Sequence, residues 1–473
     1  MPPVSKLSFP ASVLGIKSVK NSSSESDMAL PGSKPDTTYI QSSFKKLRKV
    51  ASRNVVVTPY NWLDDKRRGD AIGDYWRVHD KLYDLTNFIE KHPGGRDWID
   101  VTRGTDVTEA FESSHILNMN KVESILAKYY VKEATHPRNS PYEFKDDGFY
   151  KTLKRRVEPI LKKVGTGPTK RLLLTQDLLA SLYVFTSCLG AWSGSWLLQI
   201  LAGIILGMVV VGAHNFLHLK DTWRRFYFDL CPMTSFEFRI THGLSHHLFP
   251  NTILDYEVIA LQPIFELLPS RPKNLLNRYG SLIYSHFVYS QIMGQDILRR
   301  VLAIYSGQAK IRPENFLIFI QLAIFIFLSS SLINGTLCWL IIYSAASYWL
   351  AIVGLNAAHH HPACFHDGDE ARHDPDFGLC QLDSTLDKAD DFHKTELAVL
   401  TTFGEHPLHH LFPSVCHSKL PLLKPIFEQV LHEFLENNRY ASQLELFIGT
   451  HRQYARVTKW SRKRQLGYQF GEY

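Results

Sequence analysis

The chain has few cysteines and no sign of a cysteine-based framework. Its six cysteines form no C-x-x-C pair, and two of them lie in apolar segments. Isolated thiols of this kind predict reduced, structural side chains. They argue against a disulfide scaffold and against a thiolate zinc site as the basis of the fold.

Signals for targeting and for nucleic acid are also missing. The first residues have no apolar core of the signal-peptide type, and residues 1–24 contain no arginine, so we expect a disordered leader there. The net charge of +7 is spread over 473 residues, with no basic stretch interleaved with aromatic residues. This pattern disfavours nucleic acid as a partner. It is typical of a membrane protein whose cytosolic loops face anionic lipid.

Composition divides the chain into consecutive segments. Residues 1–55 are rich in Ser, Pro and Lys with little periodicity, which predicts that the whole leader is disordered. A compact polar segment follows at 56–135 and is expected to be an α+β domain. We expect residues 136–150 to be a linker, 151–440 a second domain, and 441–473 a basic cytosolic tail.

The polar segment shows short elements of both kinds. Two alternating stretches, Trp76–His79 and Leu82–Asp84, predict strands around a turn. Helical patterns follow at four places: Thr86–Lys91, Asp97–Thr102, Asp106–Glu112 and Lys121–Val131.

The second domain contains four apolar runs, each long enough to cross a hydrocarbon core of about 30 Å. The joints Ser193–Ser195 and Asn334–Thr336 carry no Lys or Arg, whereas the opposite ends do. By the positive-inside rule, those opposite ends and both termini are expected in the cytosol. A patch at Leu282–Met293 is less apolar and predicts an interfacial helix. The four runs are about 172–192, 196–213, 315–333 and 337–355.

Three histidine clusters stand out in this domain. They are His214-Asn-Phe-Leu-His218, His242-Gly-Leu-Ser-His246-His247 and His406-Pro-Leu-His409-His410. A spacing of four places two rings on one helix face, one turn apart, which suits a metal held between helices. All three clusters lie on the cytosolic side of the predicted topology, so they converge on one face of the membrane. An all-nitrogen ligand set with open positions suits iron in oxygen chemistry.

A further motif, His92-Pro-Gly-Gly95, lies in the small domain. Together with Trp76–Phe88, Gly104–Phe111 and His115 it resembles the cytochrome b5 family, over about residues 72–135. The resemblance implies a heme b whose axial ligands are His92 and His115. A heme with two axial imidazoles passes electrons without binding oxygen. Four apolar side chains are expected to line its pocket: Leu85, Phe88, Val107 and Phe111.

From about residue 150 to 440 the chain resembles the membrane fatty acid desaturases, especially the front-end type that carries an N-terminal cytochrome b5 domain. The family pattern of H-x(3–4)-H, H-x(2–3)-H-H and H/Q-x(2–3)-H-H is met by the three clusters. The third cluster opens with His406 where the front-end type usually has Gln, and Asn215 stands where it usually has Asp. Carried over to this chain, the ligands of two non-heme iron ions are His214, His218, His242, His246, His247, His406, His409 and His410.

Asn356 and His360, four residues apart after the last apolar run, resemble the extra Asn and His that acyl-CoA desaturases use as outer ligands. His359 and His361 compete with His360 for this role. The expected fold is therefore an α+β cytochrome b5-like domain followed by an all-α, four-span membrane desaturase domain whose His-box helices are cytosolic.

The resemblance implies a membrane-bound fatty acyl desaturase with a built-in electron donor. Its expected partners are O2, a fatty acyl substrate from the bilayer and an NADH-cytochrome b5 reductase or similar donor. Its expected place is the endoplasmic reticulum membrane. The whole chain also resembles the insect cytochrome b5-related proteins, a desaturase-like group whose substrate the resemblance does not imply. Two alternatives stay open: a lipid or sphingolipid hydroxylase, and a non-catalytic heme-binding membrane protein with a vestigial desaturase domain.

Overall fold

The structure, a computed structural model, describes residues 39–51, 56–356, 358–389 and 395–468. Short 3-10 and π-helical turns join or extend the main elements and are named below by residue. The strands are β1 Tyr39–Gln41, β2 Arg48–Val50, β3 Trp76–Val78, β4 Lys81–Tyr83, β5 Tyr130–Glu133, β6 Asp387–Lys388 and β7 Tyr440–Ala441. The α-helices are α1 Pro59–Asp70, α2 Arg96–Val101, α3 Thr108–Ser114, α4 Met119–Leu126, α5 Phe149–Val164, α6 Lys170–Ser193, α7 Trp196–His218, α8 Ser235–Phe238, α9 Tyr256–Ala260, α10 Ser281–Tyr289, α11 Ile292–Tyr305, α12 Leu317–Ser329, α13 Leu332–Leu350, α14 Phe377–Asp383, α15 Glu396–Thr402, α16 His406–Leu411, α17 Lys424–Glu433, α18 Gln443–Ala455 and α19 Arg462–Leu466.

The small domain has an antiparallel sheet of order β3-β4-β5, in which Trp76 pairs with Tyr83. The turn between β3 and β4 places His79 at a φ of 53°, in the left-handed region. One face of the sheet packs on the helices around the fully buried Trp76. The indole of Trp76 donates a hydrogen bond to the Ile99 carbonyl at 2.9 Å, which ties the sheet to α2.

Three described helices are long and apolar enough to cross a membrane: Lys170–Ser193, Trp196–His218 and Leu332–Leu355. The first two are α6 and α7, and the third is α13 with the π-helical turn that continues it. The fourth expected span corresponds to the shorter apolar helix Pro313–Ser329, which contains α12. This helix packs against α6 and α13. Four spans are therefore not established by helix length.

The two helical hairpins turn at different distances from their expected joints. The α6–α7 turn falls at Gly194, whose φ is 69°, as the Ser193–Ser195 joint predicts. The α12–α13 turn falls at Ser330 and Ser331, so the expected joint Asn334–Thr336 lies inside α13. The Ser331 hydroxyl caps α13 by accepting a hydrogen bond from the Asn334 amide at 3.2 Å. Gly335 then packs directly on the backbone of Ile326, where a Cβ atom would collide.

Part of the predicted disordered leader is structured. Residues 1–38 and 52–55 lie outside the described residues, but β1 and β2 pair as an antiparallel hairpin. Phe44 and Leu47, between these strands, are buried in the main core. The Ser42 hydroxyl donates to the Asp367 carboxylate at 2.6 Å. This hairpin differs from the expectation of disorder because its apolar side chains have partners more than 300 residues away.

The predicted linker and the described part of the tail are packed as well. In the linker, Arg138 forms an ion pair with Asp106 of the small domain at 2.7 Å, and Tyr142 is buried. Beyond residue 440, Leu446 and Tyr454 of α18 are buried. The linker therefore joins the small domain to the helical domain, and α18 packs on the helical domain instead of extending from it.

Candidate functional site

The first candidate site lies between His92 and His115. His92 follows the 3-10 turn Thr86–Lys91, and His115 follows α3 directly. Their ring centroids are 6.2 Å apart. Two metal–nitrogen bonds of about 2 Å, together with the ring dimensions, require such a separation when one metal lies between two imidazoles.

Backbone carbonyls fix the orientation of both rings. Nδ1 of His92 hydrogen-bonds the Gly95 carbonyl and Nδ1 of His115 the Phe111 carbonyl, both at 2.9 Å. A carbonyl can only accept, so each Nδ1 carries the proton and each Nε2 keeps its lone pair for a metal. Burial lowers the pKa of His115 to about 4, so this ring is neutral at physiological pH.

The four side chains expected to line the heme pocket lie around this histidine pair. Leu85 is buried, and Phe88, Val107 and Phe111 are half-buried members of the same apolar cluster. The Phe88 ring lies 5.9 Å from His92, and the Phe111 ring 4.9 Å from His115. The donor pair and its apolar walls therefore fit a heme.

The second candidate site gathers all eight histidines of the three clusters at the C-terminal end of α7. His214 and His218 end α7, His242–His247 lie in or directly after the π-helical turn Arg239–His246, and His406–His410 lie in α16. All of them are buried except His218, which is half-buried. Within the described residues, one group of five imidazoles has ring nitrogens within 4.8 Å of one another: His214, His218, His242, His247 and His409.

A second group of described histidines adjoins the first. It contains His246, His359 and His410, again within 4.8 Å. Nε2 of His406 lies 2.6 Å from Nε2 of His359, which adds a fourth ring. The rings of His247 and His410 stack at 4.2 Å, so the two groups share a border.

Of the three consecutive histidines after the last span, His359 lies within the second group, whereas the sequence favoured His360 as the additional ligand. The His360 ring lies 6.4 Å from the His359 ring and 6.3 Å from His366, outside both groups. Asn356 donates its side-chain amide to the Ala351 carbonyl at 2.8 Å. The chain leaves its helix through the π-helical turn Ala351–Leu355, directly before Asn356.

Outer partners hold the rings by Nδ1. Glu257 contacts Nδ1 of His242 at 2.6 Å, and Asp255 contacts Nδ1 of His246 at 3.0 Å. In the second group Nδ1 of His359 donates to the Ser384 carbonyl at 2.8 Å, and Nδ1 of His410 contacts the Gln381 side chain at 3.0 Å. These partners could not be predicted from the sequence, because their spacing from the cluster histidines follows no helix period.

His417 is a further outer partner that the sequence did not single out. Its Nε2 lies 3.1 Å from Nδ1 of His409, and the two rings meet edge-on. A His-x(6)-His spacing at 410–417 matches no family box, so only its position in space identifies it.

Several inner nitrogens face one another at short distance. Since Nδ1 of His359 and of His242 have outer partners, their Nε2 atoms face those of His406 and His214 at 2.6 and 2.7 Å. Nδ1 of His214 and of His406 has no hydrogen-bond partner among the described residues, so Nε2 of these two rings can carry either the proton or the lone pair. Burial holds the pKa of His409 and His410 well below the ordinary histidine value, so these rings are neutral. Neutral imidazoles that converge in this way can turn their lone pairs toward a cation. The donor set fits two metal ions, one for each group.

A cavity of about 140 Å³ opens beside the second group. His242, His246, His359 and His406 line it together with apolar side chains at the end of α13 and with Arg299 of α11. Apolar walls next to this group of histidines suit an apolar substrate.

Comparisons with known proteins agree with this division of the chain. The profile of a family described as "Fatty acid desaturase" matches residues 190–440, and that of "Cytochrome b5-like Heme/Steroid binding domain" matches residues 63–134. Among curated proteins, the chain is 37% identical to a cytochrome b5-related protein of Drosophila melanogaster, over 85% of this chain and 93% of the relative.

Two acyl-lipid (8-3)-desaturases are more distant relatives. The one from Physcomitrium patens is 27% identical over 79% of this chain and 85% of its own length. The one from Mortierella alpina is 24% identical over 76% and 87%, respectively. No solved structure matches the chain significantly.

Proposed function

The chain belongs to the fatty acid desaturase family and carries a cytochrome b5-like domain, and on this premise we propose that it is an O2-dependent fatty acyl desaturase with two irons. The observation that carries the proposal is the convergence of nine buried or half-buried imidazoles in two adjoining groups. Among the described residues, the group of five histidines contains no acidic side chain, and neither does the group around His359. Imidazole ligands of this number suit iron.

In this proposal the eight expected histidines and His359 hold the irons. Bound iron would supply the oxidising power that an unactivated C–H bond demands. Two hydrogens leave the acyl chain while O2 becomes two waters, and the balance takes two further electrons and two protons. Glu257, Asp255, Gln381 and the Ser384 carbonyl keep the rings in place by their Nδ1 atoms, which fixes the donor geometry.

The substrate would lie in the cavity beside His246 and His359. Leu350 and Leu355 at the end of the α13 helix contribute apolar wall, and such walls exclude water from the reacting carbons. Arg299 and Asp296 of α11, with Glu237 and Glu257, supply the charged part of the lining. This combination supports an acyl chain with a polar head at the membrane surface.

The heme, held by His92 and His115, would pass electrons one at a time, since both axial positions are taken by imidazole. An NADH-linked reductase is the proposed source of these electrons. We place the protein in the endoplasmic reticulum membrane with both termini in the cytosol, as the distribution of Lys and Arg favours.

The test is product analysis. The full chain is expressed in a desaturase-null yeast fed a panel of fatty acids, and lipids are profiled by mass spectrometry. Loss of two hydrogens from a fed acyl chain is the expected result, and a gain of one oxygen would identify a hydroxylase instead. His409→Ala is the inactive control. Unchanged lipids across the panel, from protein that contains heme and iron, would refute the proposal and favour the non-catalytic alternative.

A further inference from the structure

Helix α2 follows the His92 motif directly and lies against the helical domain through two neighbouring side chains, Asp97 and Trp98. The Asp97 carboxylate is near three arginines of that domain. It lies 3.6 Å from Arg225, 3.8 Å from Arg239 and 3.9 Å from Arg312. Its side chain is only 13% exposed, so these contacts are shielded from solvent. The cytochrome b5-like domain is therefore docked by charge at the helix next to its own heme ligand.

Arg239 connects this docking contact to the histidine clusters. Its guanidinium lies 5.0 Å above the Trp98 ring and donates to Asp221 at 2.6 Å. It also donates to the Leu217 carbonyl, next to His218, at 3.0 Å. A buried arginine with a cation–π contact and these hydrogen bonds holds the indole in one position.

The indole of Trp98 reaches the second histidine cluster itself. A Cβ atom at Gly243 would lie 2.8 Å from the Trp98 ring and 3.9 Å from Cε1 of His218. The ring thus occupies the space that any side chain at position 243 would need. Trp98 also belongs to the apolar cluster formed with Ile240 and Leu244. It is therefore in van der Waals contact with the turn that carries His242 and His246.

The other end of α2 is connected to the heme site. Nδ1 of His92 hydrogen-bonds the Gly95 carbonyl, and Gly95 is the residue that immediately precedes α2. A path of one hydrogen bond and a short stretch of covalent backbone therefore leads from the His92 ring to Trp98. It ends in one contact with Gly243, beside His218. Electrons tunnel more readily through bonded and contacting atoms than across open space.

We propose that Trp98 bridges the two redox sites of this chain. The inference rests on the proposed function. A ferrous heme held by His92 and His115 loses one electron, and one ferric non-heme iron at the His218 side of the clusters gains it. No atom or proton is transferred, and the step occurs twice for each desaturation. The donor stays docked while it transfers electrons.

A second route through Tyr150 competes with this one. Its buried hydroxyl lies 3.1 Å from the Glu112 carbonyl, near His115, and 3.2 Å from the Leu411 carbonyl, next to His410. One hydroxyl proton serves two acceptors there, so only one of the two contacts is a hydrogen bond at a time. The Trp98 route also contains one non-bonded contact, at Gly243, but its indole packs on the turn that carries His242 and His246, and it is the route we assign.

The experiment measures electron transfer in the full-length protein, loaded with heme and iron in lipid nanodiscs. One equivalent of dithionite reduces the heme without oxygen, and the Soret band reports heme reoxidation by ferric iron. Trp98→Leu should slow this rate by about tenfold or more, since small displacements at such contacts have large effects on rates. Its heme spectrum and iron content should stay unchanged, and a small redox mediator should restore iron reduction.

Matched variants separate the bridge from simple docking. Trp62 lies in the same apolar cluster and its indole donates to the Leu254 carbonyl at 2.8 Å, so Trp62→Phe disturbs the interface elsewhere. We expect it to keep the wild-type rate and Trp98→Phe to recover part of the rate lost in Trp98→Leu. A wild-type rate in Trp98→Leu, equal slowing in Trp62→Phe, or slowing only in Tyr150→Phe would overturn the inference. Failure of the wild-type protein itself to reoxidise its heme would instead refute the proposed function.

Discussion

Single hydrogen bonds at Nδ1 decide the chemistry of the buried histidines. At the heme site two backbone carbonyls fix the tautomer of His92 and His115. At the three histidine clusters and at His359 the corresponding partners are carboxylates, an amide, a carbonyl and another imidazole. In each case Nε2 remains for a metal, which is the arrangement that second-sphere partners produce in metalloproteins.

Removal of His92 or of His115 should abolish the low-spin heme spectrum. His92→Ala and His115→Ala each leave five-coordinate iron at most, so the low-spin absorption bands should disappear while non-heme iron content is unchanged. His79→Ala is the matched control, because His79 contacts Glu112 at 2.8 Å and lies outside the pocket. Absorption spectra and metal analysis of the purified proteins check this. Survival of the bands in either axial variant would contradict the assignment.

Adjacent histidines should differ sharply in iron binding. His359→Ala should weaken iron binding by more than the roughly 10–100-fold typical of an outer partner, because it removes a donor of the second group. His360→Ala should leave iron binding nearly unchanged. Titration of the metal-free protein with Fe(II) measures both. The reverse order of effects would restore His360 to the ligand set.

Residue spacing singled out the eight cluster histidines, which the structure brings together. It did not decide which of His359, His360 and His361 joins them. Helical periodicity places His214 with His218 and His242 with His246, since each pair lies one turn apart. It cannot choose among His359, His360 and His361, because the choice depends on the helix geometry before them. Outer partners such as His417 come close only through tertiary packing.

At the scale of elements, the short strands and helices of the small domain follow local patterns, and the exceptions have physical causes. β3 and β4 match the expected alternation, and the 3-10 turn Thr86–Lys91 matches its predicted helix. The predicted helix Lys121–Val131 ends early, at Leu126, because Tyr130–Glu133 forms the strand β5 beside β4. Strand pairing with distant residues overrides local helix propensity there.

The β1–β2 hairpin should contribute to stability. The Phe44 ring packs 5.1 Å from Phe365 and 6.0 Å from Tyr142. Phe44→Ala should lower the free energy of unfolding by about 3 kcal/mol, as expected for a buried phenylalanine. Thermal unfolding in detergent measures this, with the exposed Lys45→Ala as control. Equal melting temperatures for both variants would show that the hairpin is not packed in solution.

The contact between α3 and α5 should depend on pH. Burial opposes ionisation of Glu112, but a hydrogen bond with His79 and the charges of Lys154 and Lys151 hold its pKa well below the ordinary 4.5. The stabilisation is therefore complete above about pH 5 and declines as the pH falls below 4.5. Glu112→Gln should remove about 3 kcal/mol at pH 7, because buried lysine Lys154 loses its partner.

Unfolding of wild type and Glu112→Gln across pH 3.5–8 checks this prediction. The difference between the two proteins should be constant above pH 5 and smaller at low pH. The exposed pair Arg156–Glu433 provides a control, since Glu433→Gln removes an ion pair that is largely screened by solvent. A difference in unfolding free energy between wild type and Glu112→Gln that grows as the pH falls would contradict the predicted direction of the pH dependence.

At the scale of the whole molecule, the number of crossings decides whether the histidines can meet. Pro313–Ser329 rises about 25 Å, short of the roughly 30 Å of the hydrocarbon core. Its tight turn into α13 nevertheless reverses the chain, as the Trp339 indole bond to the Ile318 carbonyl also requires. If it did not cross, the end of α13 and the end of α7 would lie on opposite sides.

We therefore expect Pro313–Ser329 to cross the membrane. Glycosylation acceptor sites inserted at Gly194 and at Ser330 should both be modified in microsomes, whereas one at Gly307 should not. Gel mobility before and after deglycosylation measures this. The same result at Gly307 and at Ser330, either modified at both or at neither, would place both ends of α12 on one side of the bilayer and would contradict the four-span expectation.

The order of the two domains could be predicted from the sequence, but their mutual docking could not. Motifs identify each domain separately, because each motif is local. The contacts of Asp97 with three arginines join residues more than 100 positions apart. Helix and strand periodicity describe local sequence only, so they cannot predict such contacts. Arg138, which joins the linker to Asp106 of the small domain 32 positions earlier, also had no signal in the sequence.

The contact of α2 with Arg225, Arg239 and Arg312 has a consequence for electron supply in a membrane that contains other electron carriers. Free cytochrome b5 molecules in the same bilayer meet a surface that this chain's own domain already covers. Added donor protein should therefore neither speed nor inhibit the reaction, and the chain would be insulated from competition among other enzymes for a shared pool of carriers.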